Sequence, residues 1–566
     1  MLSRVNRKDI RHLAAFVAIF ALMIACGSEG YSNVPAPAPP TQKQFVSVTA
    51  ASGIDYTNGL VNLPTPVTVA RIAPSGAASG DYDNDGMIDL FIVRGDIGPN
   101  LLYRNTGNLV FEEIAAAAGL AYTKSATENY RHSGPMFADM DGDGDLDLFL
   151  GGLGGDPSLI FANNGDGTFS DVTAGSGIDT LTASHNISAA FGDYDLDGDL
   201  DLFVAHWGTV RDFSSPGDTE HLWRNDTDAI GIKFTSVSES AGISPSILTL
   251  PDNLTTLQTS DFTFAPTFAR INDDLYPDIL SVADFNYSQF FINNQDGTFS
   301  NATDTGVIID GNGMGSAVFD YDGDGDLDWF VTSIECHPNS DCRNGAWSQI
   351  GNRLYRNQNG AFEDVTDEAG VASGGWGWGA CVLDFENDGD LDIYHTNGWS
   401  LVDNFNNFEF DVSRAFVANG AGQFEDQSEE IGLADTEQGR GVVCADFDND
   451  GDVDILQLHR SPVVAATLWR NDTNSNNFLS VKLNGETPNT EAAGARITIT
   501  YGGTTQMREI CIASNFVSQN PAVQTFGLGH AAQVDELTIQ WPDGRNTVLT
   551  DIQAGQFITV DHPNLL

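Results

Sequence analysis

Five aspartates fall within nine residues at Asp139–Asp147, "DMDGDGDLD", and the chain then turns apolar with "LFL". Carboxylates this close repel one another unless a cation lies among them. The pattern D-x-D-x-D-G-x-x-D occurs six times, and its acids at positions one, three, five and nine are the candidate metal ligands. They are Asp81, Asp83, Asp85 and Asp89; Asp139, Asp141, Asp143 and Asp147; Asp193, Asp195, Asp197 and Asp201. The later copies supply Asp320, Asp322, Asp324 and Asp328; Asp384, Glu386, Asp388 and Asp392; Asp446, Asp448, Asp450 and Asp454. Alternate carboxylates converge on one side of a tight loop, and the glycine at position six permits the turn. The seventh residue can offer a backbone carbonyl and the ninth a closing carboxylate, which together form the oxygen shell that Ca²⁺ prefers. About six Ca²⁺ sites are expected.

The eighth residue is apolar in each copy: Ile88, Leu146, Leu200, Leu327, Leu391 and Val453. A merely solvated acidic patch would fix neither this residue nor the glycine. An EF-hand needs glutamate at position twelve between two helices. Here that position holds Ile92, Leu150, Val204, Val331, His395 and Gln457, in stretches that favour strands. A seventh copy, "RINDDLYPD" (Arg270–Asp278), replaces the first acid with Arg270 and the glycine with Leu275. Its guanidinium is expected to stand in for a metal beside Asn272, Asp274 and Asp278.

The loops are held by a repeat. A second motif alternates with the acidic one, as in "LYRNTGNLVFEE" from Leu102, "FANNGDGTFSDV" from Phe161 and "LYRNQNGAFEDV" from Leu354. Asn-Gly and Asp-Gly between apolar residues signal hairpins. Each unit thus reads as two hairpins, and seven four-stranded units form an all-β, seven-bladed β-propeller. "FVSVTAASGI" (Phe45–Ile54) is a second half-unit without a first, and "LWRNDT" (Leu468–Thr473) is a first without a second. Their pairing would close the ring and remove its open edge.

Composition sets further bounds. The 566 residues include 79 acids against 25 Lys and Arg, a formal net charge of −54. Nucleic acid is excluded as a partner, because phosphates would be repelled. Six Ca²⁺ would add twelve positive charges, bringing −54 to −42, so the surface stays acidic. At the N-terminus, Arg4, Arg7, Lys8 and Arg11 precede the apolar "LAAFVAIFALMIA". This reads as a signal peptide over residues 1–25, with "LMIACGS" as a lipidation signal acting on Cys26. Residues 26–43 then form a Pro-rich linker, 44–473 the propeller and 474–566 a small β-domain. The chain is expected in the cell envelope or on the outer-membrane surface as a lipoprotein, or outside the cell, touching membrane only through that anchor. Export permits disulfides. Cys336 and Cys342 can close "CHPNSDC"; Cys381 and Cys444 precede equivalent loops and either pair or remain buried thiols.

The acidic loops with their "F-x-D-V-T" and "LYRN" companions resemble the FG-GAP/VCBS calcium-loop repeats of integrin-type propellers, over about Phe45 to Thr473. The tail segments "NFLSVKLNG", "GARITITYGG", "FVSQNPAVQTFGLG" and "VDELTIQWPDG" resemble the ASPIC/UnbV domain, with Thr490 where that family usually has arginine. The combination is similar to the cartilage acidic protein family and its bacterial relatives. The resemblance implies an exported, calcium-loaded protein and no settled activity.

Topology also marks a second face. If each acidic loop joins two strands, the start of the first and the end of the second meet at the opposite end of the blade. His132, His185, Trp376, Trp378 and Arg440 lie before the loops; Arg94, Trp207, His206, His395, Asn397, Trp399, His459 and Arg460 lie after them. The Trp, Arg and Asn residues are candidates for binding a protein or glycan. The five histidines are candidates for an alternative, catalytic role as acid, base or metal ligands. No nucleophile triad or phosphate loop accompanies them. "RGD" at Arg94–Asp96 is too short to carry weight.

Overall fold

The computed structural model describes residues 44–60, 75–211, 217–248, 260–336, 349–399, 408–472 and 476–565. Cys26, Cys342, the leader and the linker lie outside the described residues.

The alternating apolar pattern and the turn residues between runs give seven antiparallel blades of four strands each. Blade 1 consists of Ala77–Gly80, Asp89–Ile92, Leu101–Asn105 and Phe111–Glu113, in spatial order. Blades 2 to 6 repeat this arrangement, and blade 4, with the degraded loop, is as complete as its neighbours. Blade 7 takes Gly439–Ala445, Asp454–His459 and Thr467–Asn471 from the end of the propeller and Phe45–Ser47 from its beginning. The closing pair is antiparallel, with Phe45 opposite Asn471 and Ser47 opposite Trp469. The innermost strands touch in cyclic order, and Gly439–Ala445 returns to Ala77–Gly80. Apolar clusters fill the blade interfaces, such as Phe149, Phe191 and Trp223 between blades 2 and 3.

The C-terminal domain has two sheets around a core of Leu479, Val481, Ile497, Phe526, Leu537 and Trp541. In one, Asn477–Asn484 pairs antiparallel with Gln524–Gly529 and parallel with Gln556–Asp561. The other contains Thr504–Glu509, Arg496–Tyr501, Gln533–Gln540 and Asn546–Gln553. The domain does not stand apart from the propeller. Ile512–Ala513 adds a fifth strand to blade 3, with Ala513 opposite Ala190 and Ile512 opposite Phe191 on its innermost strand. The following residues run within the ring of innermost strands. Glycines make room for them: a Cβ on Gly76 would lie 2.1 Å from the Val517 carbonyl oxygen, and one on Gly441 would lie 2.3 Å from the Ser518 hydroxyl.

Cys381 and Cys444, on the innermost strands of blades 6 and 7, form a disulfide. This resolves the two options their positions left open. Cys336 is also disulfide-bonded.

Candidate metal loops and the opposite face

Each acidic loop joins the first and second strands of its blade, with strands on both sides where an EF-hand would have helices. The first carboxylate curls back over the loop. Asp139 accepts N–H bonds from Gly142 (2.8 Å), Asp143 (3.2 Å) and Gly144 (2.8 Å), and Asp320 does the same for Gly323, Asp324 and Gly325. The fourth residue adopts a left-handed conformation in all six loops, which suits Asn84, Gly142, Gly323, Asn387 and Asn449 and strains Leu196.

The ninth aspartate has a further role that the spacing did not reveal. Asp89 is buried and accepts from the backbone N–H of Asn105 (2.7 Å) and Tyr82 (3.4 Å), tying the loop to the third strand. Asp147, Asp201, Asp328, Asp392 and Asp454 hold the equivalent pairs. So does Asp278 in blade 4, where positions one and three have lost their acids but the ninth keeps this bracing role. Burial pushes Asp89, Asp147 and Asp328 up to about 8 and Asp278 to about 7. In blade 2 the ninth carboxylate still shares a group with Asp139 and Asp141 whose ligand atoms lie within 4.8 Å of one another.

Asp81, Asp83 and Asp85, Asp193, Asp195 and Asp197, and Asp320, Asp322 and Asp324 gather equally closely. Several of their oxygens have no hydrogen-bond partner although they are buried: Asp81 Oδ1, Asp83 Oδ1, Asp193 Oδ1, Asp195 Oδ1 and, in blade 7, Asp448 Oδ1. Asp193 is only 4% exposed. Buried polar atoms are normally satisfied, and a hard cation fits these orphaned oxygens.

Blade 4 departs from expectation in its detail. Arg270 is buried, but Nε donates to the backbone carbonyl of Asp274 (3.0 Å), not to a carboxylate. Its Nη2 donates to Gln540 of the C-terminal domain (2.8 Å), and its backbone N–H to Glu509 (2.8 Å). The arginine therefore supports an interdomain seat as well as the loop.

At the other end of the blades, strand starts and ends meet as the topology requires: His132 is opposite Gly152, Gly377 opposite Asn397 and Gly439 opposite His459. These residues do not line an open platform in the described structure. Trp376, Trp378, Trp399 and Trp207 are at most 8% exposed and pack with Phe264, Phe408 and Phe516. Trp376 stacks on Trp399 at 4.9 Å, and the guanidinium of the fully buried Arg440 lies 4.0 Å over Trp378. Asn397 donates to the carbonyls of Gly374 and Val412, and Arg94 to that of Thr57. The Arg460 backbone N–H donates to Gln438.

The five histidines each serve a separate local network. His132 bonds to Asn100, His185 to the Gly154 N–H, and His395 to Asn352. His206 lies between Asn186 and the Glu220 carbonyl, and His459 faces the Ala465 carbonyl. Burial lowers the affinity of His132, His185, His206 and His395 for a proton. His459 moves the other way: burial opposes its charge, but Asp435 raises it. A cluster the sequence did not flag lies under blade 3, where Asp261 meets His221 Nε2 (3.0 Å) and Arg211 Nε (3.4 Å).

Comparison with known proteins places both halves of the chain. FG-GAP-like repeats match residues 81–150, 139–204, 270–331 and 343–395, and the ASPIC and UnbV family matches 485–565. Cartilage acidic protein 1 of Mus musculus is 24% identical over 502 residues, covering 83% of this chain and 70% of that protein. The Homo sapiens protein of the same name matches at 28% over 26% of this chain and 23% of its own length. Among solved structures, an exotype rhamnogalacturonan lyase aligns with a TM-score of 0.35 at 12% identity, covering 90% of this chain and 76% of that one. A Trypanosoma rangeli sialidase aligns with a TM-score of 0.33 at 9% identity, covering 77% and 59%. No helix among the described residues is long and apolar enough to cross a membrane. The chain is a propeller of FG-GAP-like repeats joined to an ASPIC and UnbV domain, and it is homologous to cartilage acidic protein 1.

Proposed function

We propose that this chain is an exported, calcium-stabilised propeller that presents a rigid surface to a protein or glycan ligand at the cell envelope. The observation that carries the calcium reading is the set of buried, unpartnered carboxylate oxygens in the acidic loops. Acids at positions one, three and five would hold the ion, with the ninth beside them. Bound Ca²⁺ supplies the positive charge that lets several carboxylates share a loop. Export rests on the leader and Cys26, and the ligand class on the rigid, loop-bearing ring. A binding role is preferred over a catalytic one because the candidate histidines are buried and each is engaged in its own network.

Calorimetric titration of the stripped protein with Ca²⁺ tests the reading. Six binding events are expected, and an absence of binding would overturn it. A glycan array and a pull-down from envelope extract, both in Ca²⁺, then test the ligand class. Stoichiometric capture supports the proposal, whereas saturable turnover of a captured molecule would replace it with the catalytic reading.

A further inference from the structure

The C-terminal domain reaches the ring of innermost strands. Its segment from Ile512 to Asn520 contacts the innermost strand of every blade. In blade 1 the Ala77 N–H donates to Ser518 Oγ (3.1 Å), and Gln519 N–H donates to the Ala77 carbonyl (2.9 Å). In blade 2 the Gln519 amide makes a two-point bond with the Phe137 backbone, at 2.7 Å each way. Ser514 bonds the backbone of Ala189 in blade 3, and the Ser316 N–H of blade 5 donates to the Asn515 carbonyl (3.0 Å). In blade 7, Asn515 donates to the Val442 carbonyl and Asn520 accepts from the Cys444 N–H, both at 2.9 Å. Phe516 packs at 5.3 Å against Phe264 of blade 4 and at 5.3 Å against Trp378 of blade 6. Innermost strands otherwise expose one unpaired edge to the channel. A buried backbone group without a partner is costly, so these bonds account for a polar segment in this place.

The body of the same domain rests on the acidic loops. Lys482 Nζ lies 3.3 Å from Asp81 Oδ2, Thr490 Oγ1 donates to Asp139 Oδ2, and Glu491 accepts the Asp139 N–H (3.2 Å). Asn476 donates to the Glu386 carbonyl (2.9 Å), and a Cβ on Gly451 would overlap Phe478. Blades 1, 2, 6 and 7 thus meet the domain through the loops proposed to hold calcium.

From these two sets of contacts we infer that the C-terminal domain is a stopper for the propeller channel, seated by the calcium-loaded conformation of the loops. The inference rests on the calcium reading above. With the ions removed, the carboxylates of each loop repel one another and the loops lose the shape on which the domain sits. The segment at Ile512–Asn520 is then held only by the channel, and it withdraws.

Hydrogen–deuterium exchange on the full chain tests this without any substitution. The reporters are the amides of Ala77, Phe137, Ser316 and Cys444, which donate to the segment. The controls are amides paired between strands within blades. Calcium binding is first verified by calorimetry on the same sample, so that failure of the calcium reading is recognised separately. The expected result is that EDTA speeds exchange of the four reporters by about tenfold or more while the controls keep their protection. If the loops bind Ca²⁺ and the reporters are equally protected in EDTA, the stopper is permanent and the inference falls. It falls also if reporters and controls lose protection together, since the domain then has no motion of its own.

Discussion

Phe516, carried by the C-terminal domain, lies 5.3 Å from Trp378 of the propeller, ring centre to ring centre, and both are essentially inaccessible to solvent. The contact joins a residue near the end of the chain to the aromatic cluster opposite the acidic loops. Truncating a buried phenylalanine leaves a cavity that packed neighbours fill poorly. Phe516→Ala is therefore expected to cost about 3–5 kcal/mol, read from denaturant midpoints. A loss within error of zero would mean that the channel does not grip the segment.

Chelation should act through the loops. Each ion bound only by the folded state adds about 2.7 kcal/mol at a hundredfold excess over Kd. Asp193, which has an orphaned buried oxygen, is expected to contribute through the metal. Asp193→Ala should lower Tm in millimolar Ca²⁺ and change it little in EDTA. Equal loss under both conditions would assign Asp193 a purely structural role.

Blade 4 should behave in the opposite way. Arg270 links the Asp274 carbonyl to Gln540 across the domain boundary. Arg270→Ala leaves both acceptors without their donor, at a cost of about 1–3 kcal/mol. That loss should be the same with and without calcium, as measured by paired melts. A calcium-dependent loss would indicate that this loop also holds an ion.

The repeat, the ring closure and the spacing of the acidic loops were legible because their signals are local. A fixed glycine, a fixed apolar eighth residue and half-units at the two ends are all visible along the chain. The second role of Asp89 and its equivalents was not, because its partners lie on a strand whose register only the fold determines. The seat of "NFVSQNP" was hidden for a stronger reason. Its partners are main-chain groups of strands between Ala77 and Cys444, and a backbone amide leaves no mark on sequence. The Trp and His residues were assigned correctly to strand ends. Their burial was missed because a sequence does not say what covers a strand end.

Acid should weaken the blade 3 cluster. Burial alone would raise the Asp261 carboxyl, but His221 and Arg211 outweigh it and hold it well below the ordinary range. A carboxylate with a depressed folded pKa gives stability that is present above its unfolded value, about 3.9. This stability is lost as pH falls through the folded value. Asp261→Asn is expected to cost about 1–3 kcal/mol at pH 7, because the buried carboxylate's contacts with His221 and the half-buried Arg211 are lost. The gap between wild type and variant should narrow as pH is lowered below about 4. Denaturant titrations at neutral and acidic pH would show this, and a gap that widens in acid would contradict it.

One blade junction lacks a fastening that the others have. Asn105 of blade 1 donates from Nδ2 to the Phe447 carbonyl in the loop of blade 7 (2.7 Å). Asn163, Asn225, Asn293, Asn357 and Asn471 reach in the same way to Tyr82, Met140, Tyr194, Ile271 and Phe385 of the preceding blade. In blade 6 the equivalent residue is Ala418, whose N–H bonds Asp392 as the asparagines bond their own aspartates. Its methyl group reaches no carbonyl, so blades 5 and 6 are joined without this link. By the repeat geometry, an asparagine there would face the Tyr321 carbonyl. Ala418→Asn is expected to stabilise the ring by about 1 kcal/mol, the net value of a hydrogen bond made without leaving another group unpaired. Asn163→Ala should cost more than that gain, about 1–3 kcal/mol, because it strands the Tyr82 carbonyl in the interior and removes the bond to Leu146. Denaturant midpoints of the two variants in excess Ca²⁺ make the comparison. Destabilisation by Ala418→Asn would mean that blades 5 and 6 are packed too closely for the bridge, and that the alanine is there for space.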